Sequence, residues 1–316
     1  MAKPFASTAD VIKPKSEMVQ LTPNVYAYVS GADPTHGIIV GERECLVIDA
    51  RATPSLAREL IDAVRKITDK PIGMLALTHY HAVRTMGFGA FKNCHLLASE
   101  GTREFIMERG PADFKSEAER FPRLFEGIGE ITGMSIPSLT FKDSMSVWLG
   151  NTEVQLINVG KAHTAGDTIV WLPREGIMWG GDVTENHTAP YMGDSWPDEW
   201  IRAVDRVRAM RPQTLIAGRG GVLTTAQAIE DTLESTQNYL RTSMAVARKG
   251  VAAGKPLRAI FEETRAALAN NFGNWPFFEH CMPFNVSRCV DAVSGVAHPR
   301  IWTAERDKEL WQALNG

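Results

Sequence analysis

The sequence predicts a layered α/β protein in which two β-sheets pack together under a cover of helices. Three observations lead there. Apolar runs of strand length cluster in two stretches, residues 25–98 and 139–217. Helical periodicity accompanies each stretch without regular strand–helix–strand alternation, and residues 225–316 are mainly helical in pattern.

In chain order, residues 1–20 mix Lys, Pro, Ser and Asp and read as a flexible leader. Alternating Val and Tyr make 25–29 a strand. Residues 37–40 and 45–48 are apolar runs joined by Gly41-Glu42-Arg43-Glu44, a β-hairpin whose second strand stops at Asp49. Leu56, Leu60, Ile61, Val64 and Ile67 fall at helical spacing, so a helix spans 54–67. Pro71 and Thr78 bound a buried strand over 72–77, and a shorter strand follows at 95–98.

Residues 102–108 read as a helix and 110–137 as a loop-rich insertion. Its Phe121-Pro122-Arg123-Leu124-Phe125 segment serves either as a lid or as the contact of a homodimer. Strands are expected at 145–149, 154–159, 168–172, 177–179 and 214–217, with a helix at 200–210. Two amphipathic helices, 225–249 and 257–270, are separated by a Gly- and Ala-rich break. The expected organisation is a leader (1–20), a catalytic-type domain (21–224) and a helical region packed on it (225–316).

Composition excludes several classes. The 316 residues carry 44% apolar and 22% charged side chains and a net charge of -3, an ordinary globular profile without a basic field for nucleic acid. No stretch approaches the roughly 20 apolar residues that span a bilayer, and residues 1–19 have no signal-type apolar core. Cys45, Cys94, Cys281 and Cys289 show no Cys-x-x-Cys spacing and read as reduced thiols. The expected setting is the cytoplasm, with a small molecule as partner and neither nucleic acid nor membrane.

Chemistry gathers where apolar runs end. Asp49 follows Leu46-Val47-Ile48, and His79 and His81 follow the strand through Leu77. His163 opens His163-Thr164-Ala165-Gly166-Asp167, and Asp182 follows Ile177-Met178-Trp179 and two glycines. Two histidines one residue apart on an extended segment point the same way and can share an ion. Asp49 suits either a helix-entry cap or a supporting role behind the ligands.

These motifs, in this order over about residues 24–221, resemble the metallo-β-lactamase superfamily. The resemblance implies an αββα four-layer sandwich of two mixed sheets flanked by helices, here with a helical C-terminal extension. It also implies that His79, His81 and His163 hold a metal with Asp182 as the bridging carboxylate. Three positions depart from the usual His-x-His-x-Asp-His and Pro-Gly-His-Gly patterns: Val83, Arg84 and Arg219 replace ligands of the second metal. None of the three can ligate a cation, and arginine stays charged.

The resulting expectation is a mononuclear zinc hydrolase whose metal-activated water attacks an ester, lactone or amide of a small acidic compound. Asp182 orients that water, takes its proton or completes the coordination, while Arg84 and Arg219 replace the second metal's charge; either both only pair with Asp182 or Asp49 in the vacated site, or at least one binds an oxyanion of the substrate. One alternative is an Fe(II) dioxygenase using His79, His163 and Asp182; another is a non-catalytic ligand-binding protein. His280, in the cluster at 277–285, is expected to be a buried, hydrogen-bonded residue or to reach the site mouth.

Overall fold

The computed structural model of the protein describes Phe5 and residues 12–315. The other residues of the expected leader lie outside that range. One sheet contains, in spatial order, β1 (Glu17–Thr22), β2 (Val25–Val29), β3 (His36–Val40), β4 (Cys45–Ile48), β5 (Ile72–Ala76), β6 (His95–Ser99) and β7 (Leu139–Phe141). Its first four strands form an antiparallel meander and the last four run parallel. The other sheet runs from β8 (Ser144–Leu149) through β9 (Thr152–Asn158), β10 (Thr168–Leu172), β11 (Ile177–Gly181) and β12 (Thr214–Ala217) to β13 (Val222–Leu223). It is antiparallel except for the β11–β12 pair.

Eight α-helices accompany the sheets among the described residues. They are α1 (Pro54–Arg65), α2 (Ala82–Thr85), α3 (Glu100–Arg120), α4 (Pro197–Ala209), α5 (Ala226–Ala252), α6 (Leu257–Phe272), α7 (Phe278–Val293) and α8 (Ala304–Asn315). None is long and apolar enough to cross a membrane.

The strand period sorts side chains into layers. On β4, Leu46 and Ile48 face the second sheet and meet Leu156, Val170, Trp179 and Ile216, whereas Cys45 and Val47 face outward with Leu60 and Val64 of α1. On β11, Trp179 enters the space between sheets and Met178 joins Trp200 of α4 and Leu233 of α5 on the other side. The layers therefore run helix, sheet, sheet, helix. Helix α1 begins where the sequence signals it: the Thr53 side chain accepts from the Leu56 amide, and Pro54 takes the first turn.

The structure differs from the sequence expectation in four places. Residues 17–20, expected in the leader, form most of β1. The short edge strands β7 and β13 carry too few residues to show a period. Helices α7 and α8 fall in the expected helical region but were not delimited singly, α7 because it holds Pro283 among mixed residues.

The largest difference is α3, which continues through Gly110 to Arg120 where a loop was expected. Its inward face does have helical spacing: Thr102, Phe105, Ile106, Arg109, Asp113, Ser116, Glu117 and Arg120 are buried. That face is charged in its second half, so hydrophobic periodicity does not reveal it, and Pro111 sits on the exposed side.

The carboxylates on that face have a local task. Asp113 Oδ2 accepts from the Ala82 amide and Glu117 Oε2 from the Val83 amide, both at 2.9 Å, which caps the four-residue α2 from outside. Asp113→Ala would leave a buried amide unpaired. We expect a loss of about 1–3 kcal/mol in urea denaturation, and an unchanged midpoint would refute this role of α3.

Candidate metal centre

Three strand ends deliver the site. The loop after β5 supplies His79 and His81, the loop between β9 and β10 supplies His163, and Asp182 follows β11. The four residues are buried, and each offers a ligand atom within 4.8 Å of the others. His163 Nε2 lies 3.0 Å from His81 Nδ1, and Asp182 Oδ2 lies 3.6 Å from His79 Nε2 and 3.7 Å from His163 Nε2.

Each imidazole is oriented by a bond at its other nitrogen. His79 Nδ1 donates to Thr78 Oγ1 at 3.0 Å, and that hydroxyl donates to Asp49 Oδ2 at 2.8 Å. His163 Nδ1 donates to the Tyr191 carbonyl at 3.0 Å. His81 Nε2 donates to Asp194 Oδ2 at 3.3 Å, and Asp194 Oδ1 accepts from Arg109 Nη1 at 3.0 Å. These partners fix the tautomers so that His79 Nε2, His81 Nδ1 and His163 Nε2 face one another.

The arrangement passes a fit test for a cation. Ligands about 2.0–2.1 Å from one tetrahedral ion stand roughly 3.4 Å apart, which the observed separations bracket. His79 Nε2 is buried without a hydrogen-bond partner among the described residues, the condition of a ligand atom. Burial holds His79 well below the usual imidazole range and takes His163 down to about 3, with His81 adding to the latter, so both are neutral. Burial opposes protonation of His81 as well, but Asp113, Asp194 and Glu117 outweigh it and raise that ring to about 9. An ion at this site would therefore displace a proton from His81.

Arg84 lies beside the cluster and is fully buried. Its Nη1 donates to Asp49 Oδ2 at 2.9 Å and to the Thr35 carbonyl at 3.1 Å. Its Nη2 donates to Asp182 Oδ1 and, at 2.8 Å, to the Gly218 carbonyl. Burial alone would raise Asp182; Arg84, His79 and Arg219 overcome it and hold that carboxylate well below its usual range. Gly218 permits the approach, since a Cβ there would stand 2.4 Å from Asp182 Oδ1.

Of the two readings of Arg84, pairing with Asp49 and Asp182 describes its contacts in the structure. Both of its Nη atoms are committed to protein acceptors, and it does not line the cavity over the cluster. Arg219 does line that cavity, donating to the Ala32 carbonyl at 3.1 Å and standing 3.8 Å from Glu185. The two arginines do not share one carboxylate as hydrogen-bond partners. Asp49 sits behind His79 and Arg84, joining both through Thr78 and directly.

Other residues of the site escaped the sequence reading. Glu117, Arg120, Glu185 and Tyr191 line the cavity with His81, His163 and Asp182, as does Phe121 from the segment read as a lid or dimer contact. Asp194 follows Gly193 in a loop with no strand before it, so the strand-end pattern passes over it. His280 is buried, but both its nitrogens lack hydrogen-bond partners among the described residues, and it is absent from the cavity lining. The cysteines are free, as expected.

No protein-family model matches the chain. It is similar to metallo-β-lactamase type 2 from Bacillus sp., with 27% identity over 215 residues, 64% of this chain and 76% of that protein. The corresponding protein of Bacteroides fragilis is 22% identical over 72% of this chain and 87% of its own length. A linear primary-alkylsulfatase from Pseudomonas sp. is 22% identical over 62% of this chain, but that match spans only 43% of the sulfatase.

Among solved structures, a metallo-β-lactamase from Pontibacter korlensis superposes with a TM-score of 0.58 at 18% identity, over 71% of this chain and all of the other. A sec-alkyl sulfatase double mutant gives 0.64 at 16% identity, over 84% of this chain and 51% of the other. The chain is similar in sequence to metallo-β-lactamases and shares their fold.

Two stability effects follow from the site. Arg84→Met would strand two buried carboxylates and is expected to cost about 3–5 kcal/mol in chemical denaturation; a loss under about 1 kcal/mol would be inconsistent with the clamp. Asp194 is raised by burial, but its His81 hydrogen bond and Arg109 bring it down to about 2 from 3.8. A depressed carboxylate stabilises the fold above its unfolded pKa and loses that contribution as pH falls through the folded value. Asp194→Asn should therefore cost about 2 kcal/mol or more near neutrality. The gap from wild type should close as pH falls from about 4 to about 2, and a pH-independent gap would contradict it.

Proposed function

We propose that the protein is a one-metal hydrolase acting on an ester, lactone or amide of a small acidic compound, with zinc as the ion. The observation that carries this reading is the meeting of three imidazole nitrogens and Asp182 Oδ2 in a buried cluster with an unpartnered His79 Nε2. The relatives are hydrolases by name, metallo-β-lactamases and an alkylsulfatase, and those names support the class while leaving the substrate open. His81 Nδ1 lies 3.0 Å from His163 Nε2 within the same cluster, which favours a three-His set over the two-His, one-carboxylate set of an iron dioxygenase.

His79, His81, His163 and Asp182 would hold the ion. Zinc so bound supplies a water acidified toward neutral pH. The protein does the rest by placement. Asp182 is kept ionised by Arg84 and so is a weak base; it orients or coordinates rather than taking a proton. Arg84 contributes a fixed charge where the superfamily resemblance puts ligands of a second ion, and it acts through Asp182 and Asp49. Arg219, on the cavity wall, is the residue placed to meet negative charge on the substrate.

Elemental analysis after zinc loading should give one ion per chain, falling steeply in His79→Ala and in His163→Ala; two tightly held ions would overturn the proposal. In a screen of esters, lactones and amides, Arg219→Met should raise KM about tenfold for acidic substrates with metal content unchanged. An equal KM in both proteins would remove Arg219 from substrate binding.

A further inference from the structure

We infer that Arg120 is a second anion-recognition residue of the cavity, taking a small oxyanion such as a carboxylate carried by the substrate. Arg120 ends α3 and is only 1% exposed. Its guanidinium is enclosed by rings, with Cζ 4.8 Å from the centroid of Tyr191, 4.9 Å from Phe284 and 5.4 Å from Phe121. Such a cage fixes the guanidinium plane and leaves its edge to recognise a ligand.

Two of the three guanidinium nitrogens have no acceptor among the described residues, although Asp307 and Glu117 lie near enough to balance its charge. Nε and Nη1 are buried without a hydrogen-bond partner among the described residues. The ion-pair contact to Asp307 Oδ2 is 3.8 Å long, beyond hydrogen-bond reach, and that oxygen already accepts from Ser116. Glu117, one turn earlier on α3, has committed Oε2 to the Val83 amide.

The other fully buried arginines behave differently. Arg84 fills four acceptors, Arg109 reaches Asp194 and the Pro299 carbonyl, and Arg288 reaches the carbonyls of Ser195 and Val296. Arg84 also leaves its Nε without a partner, but of these four arginines Arg120 alone has two such nitrogens and lines the cavity, which leaves donors for something that arrives later.

The position specifies what arrives. Arg120 lines the same cavity as His81, His163, Asp182 and Arg219, whose free volume is about 30 Å³. That is room for a group of a few atoms, and a guanidinium edge matches the two oxygens of a carboxylate. The assignment of the anion to a substrate rests on the hydrolase reading above; the binding itself does not.

Calorimetric titration of the full-length protein, zinc-loaded and chelator-treated, with acetate, sulfate and inorganic phosphate tests this. Saturable binding of at least one anion is expected, weakened about tenfold or more in Arg120→Met and less in Arg120→Lys. A folded Arg120→Met protein that binds as wild type does, or wild-type protein that binds none of the three, overturns the inference. Should Arg120→Met fail to fold, a selenate-soaked wild-type crystal decides through its anomalous peak: beside Arg120 it supports the site, elsewhere it refutes it. Arg120-dependent anion binding in a protein that takes up no metal would uphold this site while overturning the hydrolase proposal. Metal-dependent hydrolysis with no effect of Arg120→Met on anion binding would do the reverse.

Discussion

The guanidinium of Arg84 is the contact on which the site depends. Two of its acceptors, Asp49 and the Thr35 carbonyl, belong to the first sheet and its loops; the other two, Asp182 and the Gly218 carbonyl, follow strands of the second. One side chain thus ties the two sheets together at the end where the histidines converge. The pair's burial brings no assured gain in stability, since removing two carboxylates and a guanidinium from water is expensive. Its value is positional: Asp182 stays ionised and aimed at the imidazoles, and Asp49 remains available to steady His79 through Thr78.

A second charged layer supports the first. Helix α3 buries Arg109, Asp113, Glu117 and Arg120 rather than an apolar stripe. Asp113 and Glu117 hold the short helix on which Arg84 sits, and Arg109 orients Asp194 behind His81. The helix thus acts on the ligands at one remove, through Asp194 behind His81 and through the short helix that carries Arg84.

What the sequence disclosed follows from these physics. The strands were legible because a sheet buried on both faces requires continuous apolar runs, as at β4, β5 and β11. The ligand residues were legible because each stands at the end of such a run. The inner half of α3 was not, since its periodicity is carried by Arg, Asp and Glu, residues that pattern reading assigns to solvent. Asp194, Arg120 and Tyr191 were missed for a related reason: they reach the site from a helix end and loops, and only tertiary packing brings them there. Pairing of Arg84 with Asp49 or Asp182 was one of two readings the sequence left open, and the carbonyls of Thr35 and Gly218 became visible as further acceptors only in the fold.

The four-acceptor clamp also bears on the order of events in making the protein. An ion must be acquired from the surroundings, whereas a guanidinium is present as soon as the chain is synthesised. Asp49 and Asp182 thus have their counter-charge before any metal arrives, and the two sheets can close on each other without waiting for it. Loading of the histidine cluster then becomes a late step on an assembled scaffold, decoupled from the closure that positions it.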